Sequence, residues 1–103
     1  MLKGTQKEVD EWAQTLNVPY WTGLENLARL SEEVGEVARL LMHMYGPKKK
    51  KPEEAEQDLG EELADVLFTV ICIANSHNIN LDEAFAKVMH KVRTRDKDRF
   101  NKK

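Results

Sequence analysis

The hydrophobic positions recur at intervals of three and four along most of the chain, and the residues that interrupt helices gather in two places. Pro and Gly cluster around residues 18–23 and 46–52. Strands are not indicated, because clusters of β-branched residues in strict alternation are missing. The pattern predicts an all-α protein of four helices at about 5–16, 23–45, 53–76 and 81–95, followed by a basic C-terminal tail at 96–103.

Three of these helices have an N-terminal signature in which a hydroxyl or amide residue is followed three positions later by Glu. The pairs are Thr5 with Glu8, Thr22 with Glu25, and Asn80 with Glu83. The first residue of each pair is therefore predicted to cap its helix.

Two helices carry the apolar surface that should build the core. The second has one continuous stripe, predicted to face the core: Leu24, Leu27, Leu30, Val34, Val37, Leu41 and Met44. The third is apolar nearly all round over 63–74, which is typical of a helix covered on every side. We therefore expect it to be central and to lie near the interface of a homo-oligomer; alternatively, the first and last helices cover it within one chain.

Composition limits the class of protein. With 103 residues, 41% of them apolar, the chain can form one compact domain, 1–103. Sixteen basic against 18 acidic residues leave a net charge of −2, and neither a membrane span nor a secretory signal is visible, which predicts a soluble cytoplasmic protein. The single cysteine, Cys72, excludes an internal disulfide and a Cys-based zinc site, and is expected in the core.

The acidic residues form two groups on neighbouring helices. In the second helix, Glu33 and Glu36 lie on the same flank of the apolar stripe, whereas Glu32 points away from it. In the third, Glu62 and Asp65 are neighbours at i, i+3. If the two helices run antiparallel, the four residues on their facing sides can form an all-oxygen cage.

A divalent cation is the simplest partner for these carboxylates. Residues 53–65 include seven acidic residues and no basic one, and Asp65 lies at the start of an apolar run where an unpaired charge is costly. Oxygen ligands favour Mg²⁺ or Mn²⁺. The alternatives are a solvated acidic face, or a di-iron centre, which the absence of Glu-x-x-His pairs argues against.

The combination of E-E-x-x-E at 32–36 with E-x-x-D at 62–65, on two helices followed by a basic helix, resembles the MazG-like all-α nucleoside triphosphate pyrophosphohydrolases. The resemblance covers about 21–95. It implies a four-helix bundle-like MazG fold completed by oligomerisation, as a dimer or tetramer. It also implies Mg²⁺-dependent hydrolysis of a nucleoside triphosphate to the monophosphate and pyrophosphate, in nucleotide house-cleaning.

The resemblance also implies roles for particular residues. The metal ligands would be Glu33, Glu36, Glu62 and Asp65, with Glu32 orienting water. The substrate would be held by Lys91 and Arg95 at its phosphates, and by Trp21 and His43 at its base. The resemblance does not specify which carboxylate accepts a proton.

A different class of function is also open at this point, namely a non-catalytic helical module that binds a nucleotide, a nucleic acid or a protein. It is motivated by the basic run at 48–51 and by the basic C-terminus. Lysine runs without interleaved aromatic residues are weak signals for nucleic acid, so we expect a nucleotide substrate and neither a nucleic acid nor a membrane as partner.

Overall fold

A computed structural model describes residues 1–47 and 58–95, which fold into four α-helices without a strand. The helices are α1 (Leu2–Ala13), α2 (Gly23–Tyr45), α3 (Leu59–Ser76) and α4 (Leu81–Arg95). The all-α prediction is confirmed. In this part of the chain no helix is both long and apolar enough to cross a membrane. The basic run at 48–51 and the tail at 96–103 lie outside the described residues.

Local capping fixes the starts of α2 and α4, as predicted. The Thr22 hydroxyl accepts a hydrogen bond from the Glu25 amide at 3.3 Å, and the Glu25 carboxylate accepts one from the Thr22 amide at 2.9 Å. This pair is a complete capping box. At α4, the Asn80 side-chain oxygen accepts from the Glu83 amide at 3.2 Å.

The predicted start of α1 at Thr5 is wrong, because the cap comes from a distant residue. The Asp82 carboxylate accepts hydrogen bonds from the amides of Leu2 and Lys3 at 2.9 and 3.0 Å, so α1 begins at Leu2. These two bonds lower the pKa of Asp82. The helix α3 begins at Leu59, because Asp58 is its N-cap and accepts from the Gly60 amide at 2.8 Å. The predicted start at 53 lies outside the described residues.

The two threonines offer a matched test of capping. We expect Thr22→Ala to reduce the free energy of unfolding by about 1 kcal/mol, since the Glu25 amide at the start of α2 loses the hydroxyl that accepts its hydrogen bond. Thr5→Ala, in the interior of α1, should change it by less than about 0.5 kcal/mol. Urea denaturation of the two variants measures the difference. Equal effects would contradict the capping assignment.

The helix α3 lies between α2 and α1 and runs antiparallel to both. On α2, Glu33 approaches the start of α3, whereas Arg29, and Trp21 just before α2, share a cavity with residues further along α3. On α1, Trp12 meets Phe68 edge to face, with ring centroids 5.9 Å apart, and Gln6 contacts Asn75 at the far end. The orientation that the metal-cage prediction required is therefore present.

A polar network ties α1 to the end of α3 and to the start of α4. The buried Gln6 amide nitrogen donates to Asn75 and to the Ile79 carbonyl, while its oxygen accepts from the Leu81 amide. Asn75 in turn donates to the Tyr20 hydroxyl, which donates to Asp10 at 2.6 Å. Burial and the Asp10 carboxylate raise the pKa of Tyr20 to about 12. The network fixes the segment that leads into α2.

The core of one chain is small. The buried apolar residues among those described are Ala13, Leu40, Ile71 and Ala74. Much of the predicted stripe on α2 is exposed instead, with Leu24 at 79%, because this helix turns its Glu33 side toward α3. Cys72, expected in the core, is half-buried.

Nor is α3 covered on every side within the chain. Leu63 and Leu67 are exposed, and α4 packs on α1 without burying any of its own residues 81–95. Among the described residues, α1 and α4 thus leave part of α3 exposed, which contradicts the alternative that they cover it within one chain.

Candidate metal and nucleotide site

Three carboxylates from two helices meet where α2 faces the start of α3. Oxygens of Glu33, Glu62 and Asp65 all lie within 4.8 Å of one another. Glu62 and Asp65 occupy successive positions on one face of α3 because they are three residues apart in a helix. We call these three residues the carboxylate cluster.

The carboxylate cluster concentrates negative charge. Partial burial raises the pKa of Glu62, and the carboxylates of Asp65, Glu36, Glu33 and Glu61 add to the effect by repulsion. A group of hard oxygen donors with mutual repulsion fits a divalent cation such as Mg²⁺ or Mn²⁺, since the cation removes the repulsion that disfavours the charged form.

The raised pKa of Glu62 predicts a stability effect with a definite sign. In the metal-free protein, the Glu62 carboxyl group holds its proton more tightly in the folded state than in the unfolded chain. The free energy of unfolding therefore falls as the pH rises through the raised pKa. We therefore expect Glu62→Gln to melt at a higher temperature than the parent at pH 7 without metal. The difference in Tm should shrink as the pH falls toward 4.5, the ordinary pKa of a glutamate. In excess Mg²⁺ the order should reverse, because a ligand is lost.

Thermal melts of Glu62→Gln and the parent, with chelator and with Mg²⁺, test this prediction across pH 4.5 to 8. A metal-free variant that melts below the parent at pH 7 would show that Glu62 is not under electrostatic strain.

The other two acidic residues of α2 lie at the edge of the carboxylate cluster. Glu36 is half-buried one turn beyond Glu33, near enough that its charge raises the pKa of Glu62. Glu32 is exposed and lines an open cleft together with Glu33, Glu25, Arg29 and Trp21. The division of the three glutamates between the inner and outer sides of α2 thus follows the predicted angles.

An aromatic cavity of about 120 Å³ lies beside the carboxylate cluster. Its aromatic walls are Trp12, Tyr20, Trp21 and Phe68, and its polar lining includes the buried Asn26 and Thr69. Trp21 and Arg29 line both this cavity and the open cleft. The cavity is therefore adjacent to the open cleft that Glu33 lines.

Arg29 is a residue of this site that the sequence analysis missed. Its Nε donates to Glu33 Oε1 at 3.3 Å, and its guanidinium carbon lies 5.5 Å from the centre of the Trp21 ring. The i, i+4 spacing of Arg29 and Glu33 was the available signal. For Trp12, Asn26 and Thr69 no such signal exists, since only the packing of α1 and α2 against α3 brings them together.

The structure does not bring all the predicted substrate residues together. Trp21 precedes α2 and His43 lies near its end, roughly 33 Å away at 1.5 Å per residue. Lys91 and Arg95 are exposed on α4, which packs on α1, and neither lines the cavity or the cleft. Within one chain, these three residues are separate from Trp21.

Comparison with known proteins agrees with the geometry. Residues 22–100 match the model of the MazG nucleotide pyrophosphohydrolase domain. The protein YpjD of Bacillus subtilis strain 168 is 47% identical over 102 residues, which span 99% of this chain and 92% of YpjD.

Two solved structures are also similar. A crystal structure of YpjD from Bacillus subtilis has a TM-score of 0.80 at 45% identity and covers 88% of this chain and 93% of its own. The crystal structure of a Bacillus-conserved MazG protein, a nucleotide pyrophosphohydrolase, has a TM-score of 0.79 at 46% identity and covers 95% of each chain.

Proposed function

The chain belongs to the MazG nucleotide pyrophosphohydrolase family, and from that premise we propose that it hydrolyses nucleoside triphosphates, ribo- or deoxyribo-, to the monophosphate and pyrophosphate. The observation that carries the proposal is the carboxylate cluster of Glu33, Glu62 and Asp65, together with an aromatic cavity that shares Trp21 and Arg29 with the cleft lined by Glu33. The carboxylate cluster suits a cation that binds phosphates, and the aromatic cavity suits the base of a nucleotide. The basic segments behind the alternative of a non-catalytic module, 48–51 and 96–103, lie outside the described residues.

The carboxylate cluster would hold Mg²⁺, with Mn²⁺ as a substitute, and Glu36 would complete the ligand set. When bound, such a cation offsets the negative charge of the phosphate chain and favours cleavage of the anhydride. Without it, four carboxylates would repel a polyphosphate, so we expect the nucleotide to bind only with the divalent cation.

The residues around the carboxylate cluster would orient the substrate. Trp21 is half exposed at the border of cleft and cavity, where its ring can stack on a base. Glu32 lines the same cleft, and we assign it the orientation of the attacking water. A base on Trp21 does not reach His43 of the same chain, so a base contact by His43 would require a second copy.

We propose a homo-oligomer, a dimer or tetramer, because apolar surface remains exposed on three helices. It includes Leu24, Leu27 and Val34 on α2, Leu63 and Leu67 on α3, and Phe85, Val88 and Val92 on α4. Faces of this extent are typical of subunit contacts. Since α4 also carries Lys91 and Arg95, its docking on a second copy would bring these cations to the phosphates held there.

A complementation experiment tests this arrangement. Asp65→Asn and Lys91→Met should each be nearly inactive alone. Coexpressed, they should form hybrid dimers in which one site has both an intact carboxylate cluster and an intact Lys91, so activity should recover to about a quarter of the wild type. Activity no greater than the sum of the separate variants would show that Lys91 acts within its own chain or not at all.

The proposed activity itself is tested with a panel of ribo- and deoxyribonucleoside triphosphates, incubated with Mg²⁺, Mn²⁺ or chelator. We expect pyrophosphate and the monophosphate as products, in a cation-dependent reaction. Release of single phosphates would contradict cleavage between the α and β phosphates. Preference for non-canonical or surplus nucleotides would support the house-cleaning role, and a cytoplasmic location stays a prediction alongside it.

A further inference from the structure

Arg29 contacts the carboxylate cluster and the aromatic cavity at the same time. Its Nε pairs with Glu33, a member of the carboxylate cluster, and its guanidinium lies over the ring of Trp21, a wall of the cavity. The side chain also lines both the cavity and the open cleft. A single side chain therefore connects the place proposed for the cation with the place proposed for the base.

The contacts of Arg29 with Glu33 and with Trp21 both stabilise the position of its guanidinium group. The side chain of Glu33 is only 14% exposed, so its attraction to Arg29 is screened less than in a surface pair. A guanidinium over an aromatic face is attracted to the ring and fits it as a plane. A change in one contact must therefore alter the other, because the same planar group makes both.

A cation bound by Glu33 would compete with Arg29. Both are positive and both are attracted to the same largely buried carboxylate, so binding of a divalent ion weakens the hold of Glu33 on the guanidinium. By linkage, the Arg29–Glu33 pair and the bound cation weaken each other by the same free energy. A guanidinium released from Glu33 in this way changes its position over Trp21.

We propose that Arg29 is a positioning residue that couples the two halves of the site: a divalent cation at the carboxylate cluster loosens Arg29 from Glu33 and changes its position over Trp21. The proposal rests on the proposed cation site. The Trp21 ring therefore has one environment in the metal-free protein and another when the cation is bound. Cation binding thereby changes the wall of the cavity that would contact the base.

Two substitutions distinguish the effect of the positive charge of Arg29 from the effect of its planar guanidinium group. Arg29→Met removes the competing charge, so Mg²⁺ affinity should rise about threefold to tenfold. If Arg29 only supported the fold of α2, the same substitution would lower the affinity. Arg29→Lys retains the charge and should keep the affinity within about twofold, but it lacks the planar contact with Trp21.

The experiment uses Mg²⁺ alone and Trp21 fluorescence. The chain has two tryptophans, so Trp12→Phe leaves Trp21 as the single reporter. Mg²⁺ is titrated into this parent and into its Arg29→Met, Arg29→Lys and Arg93→Met derivatives, while calorimetry measures binding independently. Arg93, exposed on α4, is the control for loss of one arginine charge away from the site.

In the parent and in Arg93→Met, Mg²⁺ should change the Trp21 emission along the calorimetric binding curve. In Arg29→Met the emission change should fall to less than about a fifth although Mg²⁺ binds more tightly, and Arg29→Lys should also lose most of it. Binding without an emission change in the parent, or an unchanged response in Arg29→Met, would overturn the coupling alone. Absence of Mg²⁺ binding in calorimetry would overturn the cation site, and the coupling with it.

Discussion

Asp65→Asn should reduce kcat/KM for nucleoside triphosphate hydrolysis by more than about a hundredfold, since residues that merely support metal ligands already contribute tenfold to a hundredfold. Asp65 contributes one of the three carboxylates that lie within 4.8 Å of one another. The neutral amide keeps the size of the side chain but binds Mg²⁺ far more weakly than a carboxylate. Steady-state assays of pyrophosphate release measure the loss.

Glu61→Gln is the matched control for Asp65→Asn. Glu61 is an exposed carboxylate in the first turn of α3, outside the carboxylate cluster, and its replacement removes the same charge. We expect its kcat/KM to stay within about threefold of the parent. If both variants retained equal activity and melted like the parent, the assignment of Asp65 to the reaction would be wrong.

Gln6→Ala should produce the largest loss of stability among exchanges of polar side chains. Gln6 is 9% exposed, and its side chain donates to Asn75 and to the Ile79 carbonyl and accepts from the Leu81 amide. Removing it leaves three partly buried groups without this partner, which costs about 2 to 4 kcal/mol. We expect a fall in Tm of about 10 °C or more, measured by thermal unfolding followed by circular dichroism.

Two further variants identify the cause of this loss. Gln14→Ala removes another glutamine of the same region, but one whose amide makes an exposed bond to Asp10 at 3.3 Å, so the change should be below about 0.5 kcal/mol. Gln6→Glu retains the size and loses the amide donors, and it should destabilise nearly as much as Gln6→Ala. A stable Gln6→Glu would show that packing, and not hydrogen bonding, explains the position.

Local signals in the sequence predicted the parts of the fold that local contacts determine. Thr22 and Asn80 cap their helices through residues three positions away, and the spacing of Glu62 and Asp65 brings them together on α3. The start of α1 could not be predicted in this way, because Asp82 caps it from about 80 positions along the chain. The Gln6 network is equally remote from any local pattern.

Periodicity identified apolar faces but not what covers them. The stripe on α2 was predicted to face the core, yet Leu24 and Leu27 are exposed in the single chain. A periodic pattern carries no information on whether the covering surface belongs to the same chain or to another. The aromatic cavity was missed for a related reason, since Trp12 and Trp21 are brought together only by tertiary packing.

A crystal structure of the protein soaked with Mn²⁺, with the ion located by its anomalous scattering, tests the proposed cation site most directly. We expect the ion among the carboxylate oxygens of Glu33, Glu62 and Asp65, at roughly 2.0 to 2.3 Å from each, and no ion there in Asp65→Asn crystals. An ion bound elsewhere, or three carboxylates directed apart into solvent at saturating Mn²⁺, would contradict the account.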